Sequence, residues 1–260
     1  MLQLKQKKTW DDKQVREKAA QAFRRDLLGL MGVAFANLLP VYGALYFLSR
    51  LTGDRIADSV LQAALSAAAV VILFPLQLGW ARYCTLIYLR GAAEFKELLH
   101  YYRRHLAGAA LMGLAVAVIS AAVQQVAALL SSDFIAGVAG REMAAVLSVA
   151  FQLGAAVYLT LRLCVSPWIF IENPRRGALR SLERSFALTR GQTKRTLIFF
   201  WWAPAALIVI LALIALFSAA HNVVSANVTI ILGALYFTPR LLLWLSGYAI
   251  NLMTADRTKN

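Results

Sequence analysis

Carboxylates are scarce in this chain of 260 residues: 13 Asp and Glu stand against 27 Lys and Arg, and the long apolar runs hold no clear acidic residue. That scarcity excludes the intramembrane carboxylate pair by which many transporters couple to protons or sodium. Only two cysteines occur, Cys84 and Cys164, each inside an apolar run. They offer neither a disulfide framework nor metal-ligand spacing, and both read as small packing residues. His100, His105 and His221 have no Cys or acidic cluster beside them, so they read as solvated side chains rather than ligands. There is no His-Glu-x-x-His and no Gly-rich loop ending in Gly-Lys-Ser/Thr. From this inventory no metal, cofactor or catalytic residue is expected, and the chain reads as a non-enzyme.

Apolar residues are what the chain has in excess. They make up 60% of it and charged residues 15%, with a mean hydropathy of +0.62, outside the ordinary range of soluble domains. Crossing a hydrocarbon core of roughly 30 Å takes about 20 apolar residues in a helix, and only helices or closed barrels satisfy every backbone group there. The apolar runs are longer than barrel strands and lack strict alternation, so an all-α membrane protein is expected. Six transmembrane helices are read at about 27–48, 60–89, 106–130, 143–171, 196–220 and 228–253. They form one domain, 27–255, between a cytosolic amphipathic lead-in, 1–26, and a cytosolic tail, 256–260. Pro75 is expected to kink the second span. No short apolar core with a cleavage site follows the charged lead-in, so the first span is expected to serve as its own insertion signal.

A basic amphipathic segment precedes each pair of spans. In the lead-in, Val15, Ala19, Ala22 and Phe23 recur at helical spacing among Lys13, Arg16, Lys18, Arg24 and Arg25. Such a helix either lies on an anionic membrane surface or caps the bundle. Between Glu94 and His105, Lys96, Arg103 and Arg104 face Phe95, Leu98, Leu99 and Tyr102. Between Gly177 and Arg190, Arg180 and Arg184 lie off the Leu179, Leu182 and Phe186 side, Gly191 terminates the helix, and Lys194 and Arg195 follow. The connections on this side hold 21 Lys and Arg and the alternate loops hold 3. That asymmetry is expected to place both termini and the basic connectors in the cytoplasm of a plasma (inner) membrane protein. It also accounts for the net charge of +14 without a nucleic-acid partner. Arg24, Arg25, Arg103, Arg104, Arg180, Arg184, Lys194 and Arg195 are then membrane-surface basic patches facing anionic headgroups.

Three arginines interrupt the returning spans. Arg82 and Arg162 are 80 residues apart, and Arg162 and Arg240 are 78 apart; Cys84 and Cys164 each follow their arginine by two positions. Arg90-Gly91-Ala92 and Arg176-Gly177-Ala178 open their connectors alike. Fixed spacing of this kind raises the expectation of three related hairpins around a pseudo-threefold axis. A mid-bilayer arginine costs about 2.5 to 3.5 kcal/mol on insertion scales, which several Leu, Ile or Phe at about 0.3 to 0.6 kcal/mol each offset. Arg82 lies near enough to the cytoplasmic end to snorkel, whereas Arg162 and Arg240 lie deeper. Two readings stand for these residues. In one they line a polar cavity open to the cytoplasm and bind an anionic headgroup, phosphate or carboxylate. In the other they bond helix-end carbonyls freed near Pro167 and Pro239, or pair with Glu94, Glu97 or Glu172.

Across most of its length the chain resembles a bacterial integral membrane family classed as domain of unknown function 975. The resemblance is carried by the basic N-terminal helix running into the first span, by Leu89-Arg90-Gly91 with Phe95, Leu98, Tyr101 and Tyr102, and by Ala178, Ser181, Ser185 and Gly191 ahead of Leu197. The family's aromatic-proline stretch in the last span has a partial counterpart in Tyr236, Phe237 and Pro239. The resemblance implies a multi-pass plasma-membrane protein and brings no activity or catalytic residues. The expected role is that of a non-enzymatic accessory or regulatory protein binding anionic lipid or a membrane-protein partner. The alternative is a transporter or permease for an anionic solute or lipid, which the intramembrane arginines and Pro-interrupted helices favour.

Overall fold

The computed structural model describes residues 11–52, 59–130, 132, 137–138, 140–200 and 223–257, and all regular structure among them is helical. In chain order the helices are α1 (Asp12–Arg25), α2 (Leu27–Thr52) and α3 (Ser59–Arg90). A 3-10 turn (Phe95–Leu99) then leads into α4 (His100–Arg104), followed by α5 (Leu106–Leu130) and α6 (Arg141–Leu163). The remainder are α7 (Ser166–Glu172), α8 (Ala178–Thr189), α9 (Thr193–Phe200) and α10 (Val223–Arg257). Most of the expected fifth span, 201–220, lies outside the described residues.

Local chemistry sets several of these ends. The Asp11 carboxylate accepts from the Asp12 backbone N–H at 2.8 Å and the Gln14 side chain accepts from the Asp11 N–H at 3.3 Å, a capping box that starts α1. Gly91, Gly177 and Gly191 take φ values of 76°, 83° and 79°, the left-handed region where a Cβ is penalised. The two Arg-Gly-Ala openings thus share a backbone turn, and Gly191 follows the end of α8 as the sequence predicts.

The sequence predicts a span over 143–171 that breaks at Pro167, and the helix breaks just ahead of that proline, between Leu163 and Ser166. Pro167 has no N–H to donate to the Leu163 carbonyl. Ser166 Oγ donates to that carbonyl at 2.7 Å, and the adjacent Arg162 carbonyl accepts from Ser185 Oγ at 2.7 Å and Thr189 Oγ1 at 3.4 Å. Hydroxyls therefore repair the break and hold α8 against it. The basic amphipathic segment over 94–105 takes the form of a 3-10 turn and one turn of α-helix. Its Leu98 carbonyl presses on Gly79 of α3, and Tyr102 Oη donates to the Ile72 carbonyl one turn before Pro75. The last helix runs past the expected 253 and into the segment read as a tail.

Helices pair antiparallel. Tyr83 Oη of α3 donates to Asp26 at the start of α2 at 3.2 Å, and deeper in, Gln77 Nε2 donates to Asn37 Oδ1 at 2.6 Å. Gly108 at the start of α5 abuts Phe170 of α7, while Ser148 Oγ of α6 donates to the Ala127 carbonyl near the far end of α5 at 2.8 Å. The hydroxyls of Thr196 in α9 and Tyr248 in α10 lie 2.6 Å apart. The three returning segments α3, α7 and α10 meet at a buried triangle: Trp168 Nε1 donates to Thr85 Oγ1 and Ser246 Oγ, each at 3.0 Å, and the two hydroxyl oxygens lie 3.2 Å apart.

Of the two readings of the lead-in helix, α1 follows the second. Val15, Ala19, Ala22 and Phe23 are buried, with Val15 against Gly247 of α10, so its apolar face is occupied by the bundle. The outer helices behave differently. Among the described residues, α5 and the joined segment Arg141–Glu172 are long and apolar enough to cross a bilayer, yet only 17% and 11% of their most apolar stretches are buried. Leu111, Leu114, Val118 and Leu129 of α5 and Val146, Leu153 and Val157 of α6 are exposed. A soluble core helix hides such residues, and a contiguous apolar face of this kind belongs against another apolar phase.

Gly79 and Gly32 give a paired test of this packing. A Cβ at Gly79 would overlap the Leu98 backbone, whereas a Cβ at Gly32 meets nothing within 4 Å. Gly79→Ala is expected to destabilise the protein by roughly 1–3 kcal/mol, the usual cost of overpacking. Gly32→Ala is expected to be neutral or slightly stabilising, as Ala exceeds Gly in helix propensity. Thermal unfolding of the purified protein in a nonionic detergent checks both.

Candidate functional site

Arg82 is an ion-pair residue. Its Nε donates to Glu97 Oε2 at 2.6 Å, with both side chains mostly withdrawn from solvent. Glu172 pairs with Arg257 and Glu94 with Lys96, so none of the three acids considered in the sequence reaches Arg162 or Arg240.

Arg162 sits in the last turn of α6, its guanidinium 5.3 Å from the centre of the Tyr158 ring. Its Nε and Nη1 are buried and have no hydrogen-bond partner among the described residues. The carbonyls at the Pro167 break do not serve it, because Ser166, Ser185 and Thr189 already occupy them. Arg240 donates from Nη1 to Tyr236 Oη at 3.3 Å and lies 5.4 Å from the Trp244 ring centre, with Nε likewise unpartnered among the described residues. A cation–π contact contributes about 0.5–2 kcal/mol, while each unsatisfied buried donor costs about 1–3 kcal/mol. The aromatic rings therefore offset only part of the cost of these guanidiniums.

The basic connectors build a more open site. A cavity of about 270 Å³ is lined by Arg82, Lys96, Glu97, His100, Arg103 and Arg104. A second, of about 470 Å³, is lined by Arg104, His105, Asn173, Pro174 and Arg175. Arg162 and Arg240 line neither. α4 is so short that Arg103 and Arg104 leave it side by side. α5 starts two residues after Arg104, and Asn173 and Pro174 follow the end of α7. The site thus lies where the α5/α6–α7 pair meets its connectors.

Its electrostatics are one-sided. Burial pushes the Glu97 carboxyl up, but the hydrogen bond and charge of Arg82 more than offset it and hold Glu97 below the usual carboxylate range. Burial and then the Arg82 charge push His100 down to about 4. Burial, Arg104 and Arg175 likewise lower His105. Both imidazoles are neutral near pH 7, so the positive charge comes from guanidinium and ammonium groups alone. His100 and His105 are not the freely solvated residues the sequence predicts, since each lines a cavity.

The other predicted basic residues divide into two groups. Arg184 bonds Asp256 at 3.0 Å, and Arg195 grips both oxygens of Asp12 at 2.6 and 3.0 Å, so both tie connectors to the bundle. Arg24, Arg25, Arg103, Arg104, Arg180 and Lys194 are exposed, and none of them forms an ion pair among the described residues. Arg175 and Asn173 are residues that the sequence reading did not select. Their signal is three-dimensional: only the return of α7 beside the start of α5 brings them to Arg104.

The Glu97–His100 pair makes stability pH-dependent with a definite sign. An unfolded His100 takes up a proton near its ordinary value of 6.5, which the folded side chain refuses until about pH 4. The unfolded state therefore binds more protons across that window, and stability falls as pH drops through it. Glu97, lowered in the fold, adds a loss in the same direction below its ordinary value of 4.5. The unfolding midpoint is expected to decline between pH 6.5 and 4, and His100→Gln is expected to flatten the upper part of that decline.

No protein-family model, curated protein or solved structure matches this chain.

Proposed function

We propose that this protein is a multi-pass protein of the bacterial plasma membrane that binds the phosphate headgroup of an anionic lipid in a non-enzymatic accessory or regulatory role. On this reading six spans form three hairpins around a pseudo-threefold axis, with both termini and the basic connectors in the cytoplasm. The exposed apolar faces of α5 and α6, the antiparallel helix pairs and the distribution of Lys and Arg support that placement. The resemblance to the family of domain of unknown function 975 is consistent with it.

One observation carries the headgroup reading: Arg103 and Arg104, without acid partners among the described residues, converge with Arg82 and Lys96 on one cavity whose only lining carboxylate is already held by Arg82. Arginine suits this task, because its planar fork matches phosphate oxygens with two parallel hydrogen bonds. Each basic residue at an anionic surface contributes about 1 kcal/mol, so replacing both Arg103 and Arg104 with Gln is expected to weaken phosphatidylglycerol binding roughly 30-fold. Titration of the lipid into the purified protein in nonionic detergent measures it. Affinity unchanged in a normally folded double variant would end the proposal.

The Nε and Nη1 of Arg162, without a hydrogen-bond partner among the described residues, favour a second reading, a transporter for an anionic solute or lipid. It predicts anion flux in reconstituted vesicles that Arg162→Gln and Arg240→Gln abolish. Flux absent across a broad anion panel, with lipid binding retained, excludes it.

A further inference from the structure

We infer that the two cavities flanking Arg104 form one site for a lipid whose headgroup carries two phosphodiesters, an inference that rests on the headgroup reading above. Arg104 lines both cavities. His100 of the first and His105 of the second have ring centres 6.1 Å apart, so the two hollows are immediate neighbours. Their volumes, about 270 and 470 Å³, together lie on the scale of small-ligand sites, roughly 300–1,000 Å³.

The charge pattern calls for two anions. In the first cavity Glu97 is bonded to Arg82 and Lys96 leans on Glu94, which leaves Arg103 and Arg104 for a ligand. In the second, Arg104 and Arg175 face no lining acid, and Asn173 adds an amide. Three guanidiniums in a row, the middle one shared, match two phosphodiesters that each take a fork from a different side. One phosphodiester meets the guanidiniums of one cavity and leaves the guanidinium at the other end unanswered. Once the first phosphate of a two-phosphate headgroup is seated, the second binds at high effective concentration, so affinity rises without any new kind of contact.

Apolar side chains beside the cavities select a lipid over a soluble bisphosphate. Phe95 and Leu99 of the connector that supplies Arg103 and Arg104, and Leu106 at the start of α5, are 56%, 40% and 48% exposed. Polar hollows bordered by exposed aromatic and aliphatic groups, at the foot of an apolar helix, suit a molecule that has phosphates at one end and acyl chains at the other.

Full-length protein in nonionic detergent, titrated with diphosphatidylglycerol, phosphatidylglycerol and the deacylated two-phosphate headgroup, tests this. Diphosphatidylglycerol is expected to bind at least tenfold more tightly than phosphatidylglycerol. Arg175→Gln is expected to weaken diphosphatidylglycerol far more than phosphatidylglycerol and so remove that advantage; Arg104→Gln weakens both lipids, and Arg175→Lys restores part of the preference. Both positions carry exposed side chains, and an unchanged thermal midpoint verifies folding. Equal affinity for the two lipids, or a preference that survives Arg175→Gln, overturns the two-cavity site and leaves the headgroup reading standing. Failure of both lipids to bind overturns both readings. A deacylated headgroup that binds as tightly as the intact lipid overturns the assignment to a lipid.

Discussion

The hydrogen-bonded triangle of Thr85, Trp168 and Ser246 is the constraint on which the arrangement of the helices depends. In apolar surroundings an indole N–H without an acceptor costs about 1–3 kcal/mol, and Trp168 is 2% exposed. Its N–H reaches two hydroxyls only if α3, α7 and α10 hold one rotation and one relative height. Thr85 and Ser246 in turn donate to the Ala81 and Leu242 carbonyls at 2.7 Å each, which anchors the triangle in two helix backbones. Dispersion alone would tolerate sliding between smooth Ala- and Leu-rich surfaces; a closed polar triangle does not.

The helix break at Pro167 is what allows Trp168 to take part. A straight continuation of α6 would carry residues 166–172 along the axis set by α5. The break re-aims them toward the centre, and Ser185 and Thr189 of α8 close it from outside. The same re-aiming puts Asn173, Pro174 and Arg175 beside Arg104. A backbone defect inside the bundle and a basic site at its end are thus two results of one proline.

Legibility in the sequence followed the range of the interactions. The bounds of α5 coincide with the apolar run, because a polar residue or loop closes it at each end, and the capping and glycine signals at α1, Gly91, Gly177 and Gly191 are local chemistry. Arg82 with Glu97 was one of several available pairs, and only the fold selects it. The break was legible from Pro167, but its start after Leu163 was not, since Cys164 and Val165 are as apolar as their neighbours and the Ser185 and Thr189 hydroxyls that help stabilise it come from another helix. The second cavity was hidden for the same reason: Arg104 and Arg175 lie on connectors far apart in the chain. Charge counting finds that such residues are abundant; it does not find which of them already have partners.

The docking of α1 has a consequence for how the chain is made. This helix buries Val15 against Gly247 and ties Asp12 to Arg195, with Lys18 lying 4.7 Å from the centre of the Tyr88 ring. The first helix of the described fold therefore completes its contacts only after the last one is synthesised. At about 5–20 residues per second, the stretch of about 200 residues from Arg25 to Val223 takes roughly 10–40 s to emerge. Asp12 lacks its ion-pair partner until Arg195 emerges, and the Val15–Phe23 stripe lacks the surface it packs on until α10 follows. A nascent helix in that state is an amphipath with an open apolar face, which α10 closes on arrival.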